Sequence, residues 1–206
     1  NARGTFAPLS AMELSQIDAN RAHLEEVGLQ AIREGKVAAV LLAGGQGTRL
    51  GFDKPKGMYN IGVTRELYIF ECLINNVMEI VKKAGAWIPF YIMTSDKNYD
   101  DTTAFLKEKN YFGYNAEYIH FFKQEMAPSV DYNGKLLMEA PDRLSLSPNG
   151  NGGWFSSLCR YGYDKQMKEA GVEWLTAFAV DNVLQRINDP AFVGAVIDSG
   201  WGCGGG

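Results

Sequence analysis

The feature that most restricts the fold is an uninterrupted apolar run that ends in a cluster of glycines. Residues 37–42 read VAAVLL, and Ala43 leads directly into Gly44 and Gly45. A short continuous apolar run bounded by glycine is typical of a strand buried on both faces, as in parallel sheets. Parallel strands need crossover connections, which are usually helical. The run therefore predicts an α/β domain.

Apolar runs and helical patterns alternate along the rest of the chain. We predict helices over residues 66–84, 100–110, 154–170 and 189–199, and strands over residues 89–93, 117–123 and 173–181. This order is typical of a Rossmann-like α/β fold, with a mostly parallel sheet flanked by helices. A helical N-terminal segment, residues 1–36, is expected to precede the α/β domain at residues 37–206.

Two short sequence patterns predict the start of the first helix and the position of a turn. Ser10 and Glu13 have the spacing of a capping box at the start of one or two helices over residues 10–35. Asn133 and Gly134, between short apolar segments, predict a hairpin turn.

The glycine loop after the first apolar run also carries cations. Residues 44–57 read GGQGTRLGFDKPKG and include Arg49, Lys54 and Lys56. Glycines let a ligand approach the backbone N–H groups, and nearby cations suit a polyphosphate. The loop does not match the dinucleotide fingerprint, because Leu50 stands where the third glycine belongs, and the sequence has no Walker Gly-Lys-Ser/Thr. We therefore predict that this loop binds a nucleotide through an arrangement that differs from both motifs. The alternative is a tight turn whose neighbouring basic residues are only solvated.

The segments that follow the predicted strands are polar or rich in glycine, and they are residues 44–49, 94–95, 124–128 and 181–182. Ligands of parallel α/β sheets bind outside the carboxyl ends of the strands, so we expect these segments around one crevice. Asp181 would suit Mg²⁺, which takes one or two carboxylates together with substrate phosphates. The alternative is that Asp181 only caps its turn through an Asx hydrogen bond.

A second glycine-rich loop, SPNGNGGW at residues 147–154, precedes a predicted helix. The Asn151 amide can donate and accept hydrogen bonds toward a base or sugar, although an ordinary helix start is the alternative. We assign three aromatic residues to the core rather than to a stacking platform: Phe121, Phe122 and Phe155. His120 is expected to be packed rather than catalytic. The sequence shows no recognisable nucleophile motif, which favours phosphoryl or nucleotidyl transfer over covalent catalysis.

Composition limits the kinds of binding partner and the cellular location that we expect for this protein. The 206 residues suit one domain, and the net charge of −4 argues against a nucleic-acid partner and for a small anionic ligand. The three cysteines are far apart and predict free thiols in the cytoplasm, not a disulfide framework or a zinc site. We expect no secretory signal and no membrane partner, because no apolar stretch has the required length.

Taken together, these segments resemble the eukaryotic-type UDP-sugar pyrophosphorylases, above all their N-acetylhexosamine branch. The matching segments, in order, are LLAGGQGTRLG, PKGMYNIG, IPFYIMTS, FFKQEMAP, PNGNGG, VDN and DPAF. Several ordered matches are more specific than a single glycine loop. The GNGG form resembles the N-acetylhexosamine and broad UDP-sugar enzymes, whereas the glucose-specific branch would carry histidine in place of Asn151.

The resemblance implies a nucleotide-diphospho-sugar transferase fold of the glycosyltransferase-A-like type. It also implies that UTP and a sugar 1-phosphate give pyrophosphate and a UDP-sugar, above all UDP-N-acetylglucosamine. Arg49 would act on the leaving pyrophosphate, Lys56 would neutralise the phosphates, and Asp181 would hold Mg²⁺ or Mn²⁺. The implied substrate-binding residues are Leu42, Ala43, Gly44, Gly45, Gly47, Thr48, Met93, Gln124, Met126, Asn151, Gly152 and Asn182. Within this set, Gln124 would read the uracil edge.

Members of that family are longer than this chain, so we expect the UTP side of the site here and the sugar side elsewhere. Other interpretations remain open. The protein could be a glucose-specific or broad UDP-sugar pyrophosphorylase, or another nucleotidyltransferase. It could be a non-catalytic nucleotide-binding module. A dehydrogenase is least favoured, because it needs a glycine where Leu50 stands.

Overall fold

The computed structural model describes residue 8 and residues 11–205. The helices are α1 (Leu14–Arg33), α2 (Ile69–Ala84), α3 (Tyr99–Glu108), α4 (Trp154–Arg160), α5 (Tyr163–Glu169) and α6 (Pro190–Asp198). The strands are β1 (Val37–Leu42), β2 (Phe90–Thr94), β3 (Ile119–Lys123), β4 (Met126–Pro128), β5 (Met138–Ala140), β6 (Arg143–Leu144), β7 (Leu146–Pro148) and β8 (Trp174–Ala179). No helix in this part of the chain is both long and apolar enough to cross a bilayer.

A four-stranded parallel sheet with the order β3-β2-β1-β8 forms the centre of the molecule. β1 lies between β2 and β8, and Leu42 is in register with Met93 on one side and Ala179 on the other. Five of the six residues of β1 are buried, which confirms the buried strand predicted from VAAVLL. Because the four strands run in one direction, their carboxyl ends meet at one edge of the sheet.

Alternate residues of the central strands enter two hydrophobic cores, as the period of two in a strand requires. Leu41 and Ile92 belong to the larger core, to which α1, α2, α3 and α6 also contribute. Val40 and Met93 belong to the smaller core, which α4 and α5 cover. The helices therefore enclose both faces of the sheet, as the predicted fold requires.

Close backbone contact joins α1 to α6. A Cβ added to Gly28 would collide with the Pro190 carbonyl, and one added to Gly194 would collide with the Leu24 carbonyl. α6 begins as predicted, because the Asp189 carboxylate accepts a hydrogen bond from the Ala191 N–H at 2.9 Å. The N-terminal helix thus shares its core with the α/β domain.

Two helix predictions need correction or fall outside the described residues. The helix predicted over residues 154–170 is two helices, α4 and α5, separated by Gly162 with a φ of +74°. Ser10 lies outside the described residues, and the capping box at the start of α1 is formed by Glu13 and Gln16.

Among the aromatic predictions, only that for Phe155 is wrong. Phe122 is fully buried, and Phe121 packs against the larger core, but Phe155 is 50% exposed. The predicted hairpin is confirmed, because Val130 pairs with Leu136 around a turn in which Gly134 has a φ of +79°.

His120 is packed, as expected. Its ring stacks on Tyr91 with 4.8 Å between the ring centroids, and burial lowers the pKa of the His120 imidazole. Burial also raises the pKa of Tyr91 to about 12. Both side chains are therefore neutral near pH 7 and contribute to packing between β2, β3 and α5.

Candidate functional site

The loop after β1 folds back on itself at the carboxyl edge of the sheet. The Gly47 N–H donates to the Lys54 carbonyl at 2.9 Å, and the Lys56 N–H donates to the Gly45 carbonyl at 3.2 Å. Glycine is needed at position 47 because a Cβ there would meet Phe52 at 2.8 Å. The Gly47 N–H is thus already bonded and is not available to a ligand. Gly47 shapes the loop instead, because it allows the backbone to lie close to Phe52.

Several N–H groups of the same loop are available to a ligand. Between residues 44 and 49, five N–H groups have no hydrogen-bond acceptor among the described residues, and they belong to Gly44, Gly45, Gln46, Thr48 and Arg49. Unpaired N–H groups on a compact loop attract anions. The Arg49 side chain is exposed beside them. This part of the structure has the donors and the charge that a polyphosphate requires.

Lys56 connects this loop to the end of β8. Its ammonium group forms an ion pair with the Asp181 carboxylate, although the two residues are 125 positions apart in sequence. The Asp181 side chain is 62% exposed, so a ligand can reach it. The structure thus brings together the predicted catalytic lysine and the predicted metal carboxylate.

The Asx turn after β8 is formed by Asn182. Its Oδ1 atom accepts a hydrogen bond from the Leu184 N–H at 3.0 Å. Asp181 accepts no backbone hydrogen bond from the residues that the structure describes, so the alternative capping role for Asp181 does not apply. The oxygen of Asn182, in contrast, is already engaged in its own turn.

Gln124 lies at the end of β3, next to the glycine loop. Its N–H donates to the Thr94 carbonyl at 2.8 Å, and the whole residue is only 7% exposed. A Cβ on Gly44 would collide with the Gln124 amide, so glycine at position 44 leaves room for the amide in this orientation. The amide makes no hydrogen bond to any described side chain or backbone group. A largely buried amide with unused donors and acceptors is suited to reading the edge of a base.

The second glycine-rich loop reaches the same edge through an antiparallel pairing of β4 with β7. Ser157 fixes it, because its hydroxyl accepts from the Glu125 N–H at 3.0 Å and donates to the Gly153 carbonyl at 2.9 Å. Asn151 and Gly152 are exposed on this loop. The structure thus places the GNGG segment beside the residues that follow β3.

Met93 and Ala43, which are both predicted to bind substrate, present little surface to a ligand. Met93 is fully buried in the smaller core, and Ala43 is 2% exposed. The Ala43 N–H donates to the Met93 carbonyl at 2.9 Å, so these two residues join β1 to β2 beneath the site. Met126 and Leu42 are half-buried, and Thr48 is exposed on the loop surface.

Residues that the sequence analysis missed hold the loops in place. Asn76, on α2, donates to the carbonyls of Val183 and Gln185 at 3.2 Å each and so holds the segment after Asp181. Ser157, through the Glu125 N–H, and Asn98, through the Ala43 carbonyl, hold other loops in a similar way. Their partners are distant in sequence, and no local pattern signals such contacts.

Comparisons with known proteins agree with this architecture. The family model described as UTP–glucose-1-phosphate uridylyltransferase matches residues 8–204. UDP-N-acetylglucosamine pyrophosphorylase of Saccharomyces cerevisiae is 41% identical over 179 residues, which cover 85% of this chain and 38% of that protein. UDP-N-acetylglucosamine diphosphorylase 2 of Arabidopsis thaliana is 38% identical over 184 residues, which cover 84% of this chain and 37% of that protein.

A solved structure of a similar protein also superposes on this chain. The uridine diphosphate N-acetylglucosamine pyrophosphorylase of Trypanosoma brucei, in complex with an inhibitor, superposes with a TM-score of 0.83 at 30% identity. The match covers 91% of this chain and 40% of that chain. The present chain thus spans about two fifths of the length of these relatives. The extent of the family match and the identity to these relatives together establish that the chain belongs to the UTP–glucose-1-phosphate uridylyltransferase family.

Proposed function

We propose that the protein transfers the uridylyl group of UTP to a sugar 1-phosphate, with N-acetylglucosamine 1-phosphate as the sugar substrate. One observation carries this proposal: the glycine loop, the Lys56–Asp181 pair and the Gln124 amide lie at one edge of the sheet. The names of the relatives at 38% and 41% identity support the choice of sugar.

The proposed reaction needs no protein nucleophile. An oxygen of the sugar 1-phosphate attacks the α-phosphorus of UTP, the bond from that phosphorus to the β-phosphate oxygen breaks, and pyrophosphate leaves. Such transfer depends on positioning and on neutralising charge. In this assignment Lys56 and Arg49 offset the phosphate charge, the free N–H groups bind phosphate oxygens, and Gln124 orients the uracil.

The residues at the end of β8 fit a divalent cation that is shared with the nucleotide. The described residues contain no group of three or more His, Cys, Asp or Glu side chains that could hold a metal by themselves. Mg²⁺ binds through one or two carboxylates together with substrate phosphates, and Asp181 provides one exposed carboxylate. We therefore propose that Asp181 holds Mg²⁺ or Mn²⁺, which would offset negative charge on the phosphates.

The proposal extends to location and partners. Cys72, Cys159 and Cys203 are free thiols, which supports a cytosolic protein. The net charge of −4, with cations gathered at the glycine loop, supports small anionic ligands rather than nucleic acid or a membrane surface.

Product formation tests the proposed function. The protein is incubated with UTP, Mg²⁺ and one of three sugar 1-phosphates (N-acetylglucosamine, N-acetylgalactosamine or glucose), and ³¹P NMR follows pyrophosphate and the UDP-sugar. We expect the N-acetylglucosamine substrate to react fastest, and UTP to be used in preference to ATP or CTP. If glucose 1-phosphate were the only one of the three to react, the sugar substrate would be glucose 1-phosphate and not N-acetylglucosamine 1-phosphate. UTP binding without product from any of the three would mean that this chain supplies a nucleotide-binding site without the sugar side.

A further inference from the structure

A buried asparagine contacts the back of the glycine loop. Asn98 stands just before α3 and is 0% exposed. Its Nδ2 atom donates to the Ala43 carbonyl at 3.0 Å and to the Gly45 carbonyl at 3.4 Å. Its Oδ1 atom accepts from the Ser95 N–H at 2.7 Å. One side chain therefore joins the loop after β1 to the loop after β2.

Helix capping does not explain the choice of asparagine. An N-cap side chain normally accepts a hydrogen bond from an N–H inside its own helix. Asn98 makes no such bond, since its oxygen bonds backward to Ser95 and its nitrogen bonds to the loop after β1. Both amide hydrogens and the oxygen are used, and all three partners are backbone groups.

The two bonds to the loop fix the direction of two peptide groups. In a trans peptide, the carbonyl of one residue and the N–H of the next lie in one plane and point in opposite directions. A carbonyl of Ala43 held toward Asn98 therefore directs the Gly44 N–H away from Asn98. The Gly45 carbonyl does the same for the Gln46 N–H. Both N–H groups are among those that lack an acceptor in the described structure.

We infer that Asn98 is a positioning residue for nucleotide binding, which fixes the peptides before Gly44 and Gln46 so that their N–H groups face UTP. This inference rests on the proposed function. Asn98 does not contact the nucleotide. It acts by ordering a flexible glycine loop in advance, so that less conformational entropy is lost when the ligand binds.

The test compares UTP affinity between the wild-type chain and two variants by calorimetry with Mg²⁺ present. Asn98→Ala removes all three bonds. Asn98→Asp keeps the shape and the acceptor for the Ser95 N–H but removes both donors, and it serves as the second variant if Asn98→Ala does not fold. We expect the dissociation constant to rise about tenfold or more in each, since the buried Ala43 carbonyl loses its partner and the Gly45 carbonyl keeps only its bond to the Lys56 N–H.

Two controls separate positioning from general destabilisation. Asn115→Ala removes a half-buried asparagine that also accepts a backbone N–H, that of Glu117 at 3.1 Å, at the opposite end of β3. Val81→Ala removes core volume near the C-terminal end of α2. Val81→Ala is expected to lower the melting temperature, and both controls should keep the UTP dissociation constant within about twofold of wild type, because neither reaches the loop.

The outcomes distinguish the inference from the proposed function. If the wild-type chain binds UTP and a folded Asn98 variant binds it equally well, the inference is wrong and the proposed function stands. If Val81→Ala weakens UTP binding as much as the Asn98 variants do, the effect is one of stability and the inference is again wrong. If the wild-type chain does not bind UTP, the proposed function and the inference are both rejected.

Discussion

Replacing Lys56 with alanine is expected to lower kcat/KM for UDP-sugar formation by about 10- to 150-fold. A hydrogen bond to a charged group contributes about 1.5–3 kcal/mol, and about 1.4 kcal/mol corresponds to a factor of ten. Lys56 is the cation that lies between the glycine loop and Asp181. Its loss would leave the Asp181 carboxylate uncompensated next to the incoming phosphates. Steady-state release of pyrophosphate measures the effect.

Lys54→Ala provides a matched control on the same loop. The Lys54 side chain is exposed. Lys54 contacts the rest of the loop through its backbone carbonyl, which accepts from the Gly47 N–H and which the substitution keeps. It removes the same formal charge two residues away, so we expect kcat/KM to change by about twofold at most, as for an exposed charge. Equal losses in Lys54→Ala and Lys56→Ala would mean that only the general positive field of the loop matters, and would remove the specific role of Lys56.

Gly28→Ala and Gly194→Ala are each expected to lower the free energy of unfolding by about 1–3 kcal/mol, the usual cost of overpacking. The added methyl group of each variant would overlap a backbone carbonyl of the facing helix. A side chain can rotate away from such an overlap, but a backbone carbonyl within a helix cannot. The two helices must therefore separate, which loosens the larger core. Urea unfolding gives the free energy and the midpoint.

Gly152→Ala serves as the control for adding a methyl group. A Cβ at position 152 has no heavy atom within 4 Å, and the residue does not have a positive φ. The free energy of unfolding should therefore stay within about 0.5 kcal/mol of wild type, as for most surface substitutions. If Gly28→Ala were as stable as Gly152→Ala, the backbones of α1 and α6 would not approach as closely as described.

The sequence predicted those elements whose burial follows directly from their pattern. β1 is apolar throughout because neighbouring strands and both layers of helices cover it. α2 was predicted because its apolar residues recur on one face and Gly85 ends it with a φ of +72°. The split between α4 and α5 was missed, because the pattern over residues 154–170 continues through Gly162, whose left-handed conformation interrupts the helix.

The candidate site was less predictable than the fold. Gly44, Lys56 and Asp181 were identified because they belong to contiguous motifs, and the structure brings them to one edge. Met93 was assigned to the uracil through resemblance, but the alternation of β2 places its side chain in the smaller core with Tyr91. Asn98 is recognisable only through bonds to a segment more than fifty residues earlier.

The central claim is that this edge of the sheet selects uridine, and a calorimetric titration with UTP, CTP and ATP in the presence of Mg²⁺ tests it most directly. We expect UTP to bind about tenfold or more tightly than CTP or ATP, because a site built to hydrogen-bond one edge rejects the others. Gln124→Ala should remove this preference, whereas Gln166→Ala, an exposed glutamine on α5, should keep it. Equal binding of the three nucleotides by the wild-type chain, or undiminished preference in Gln124→Ala, would contradict the account.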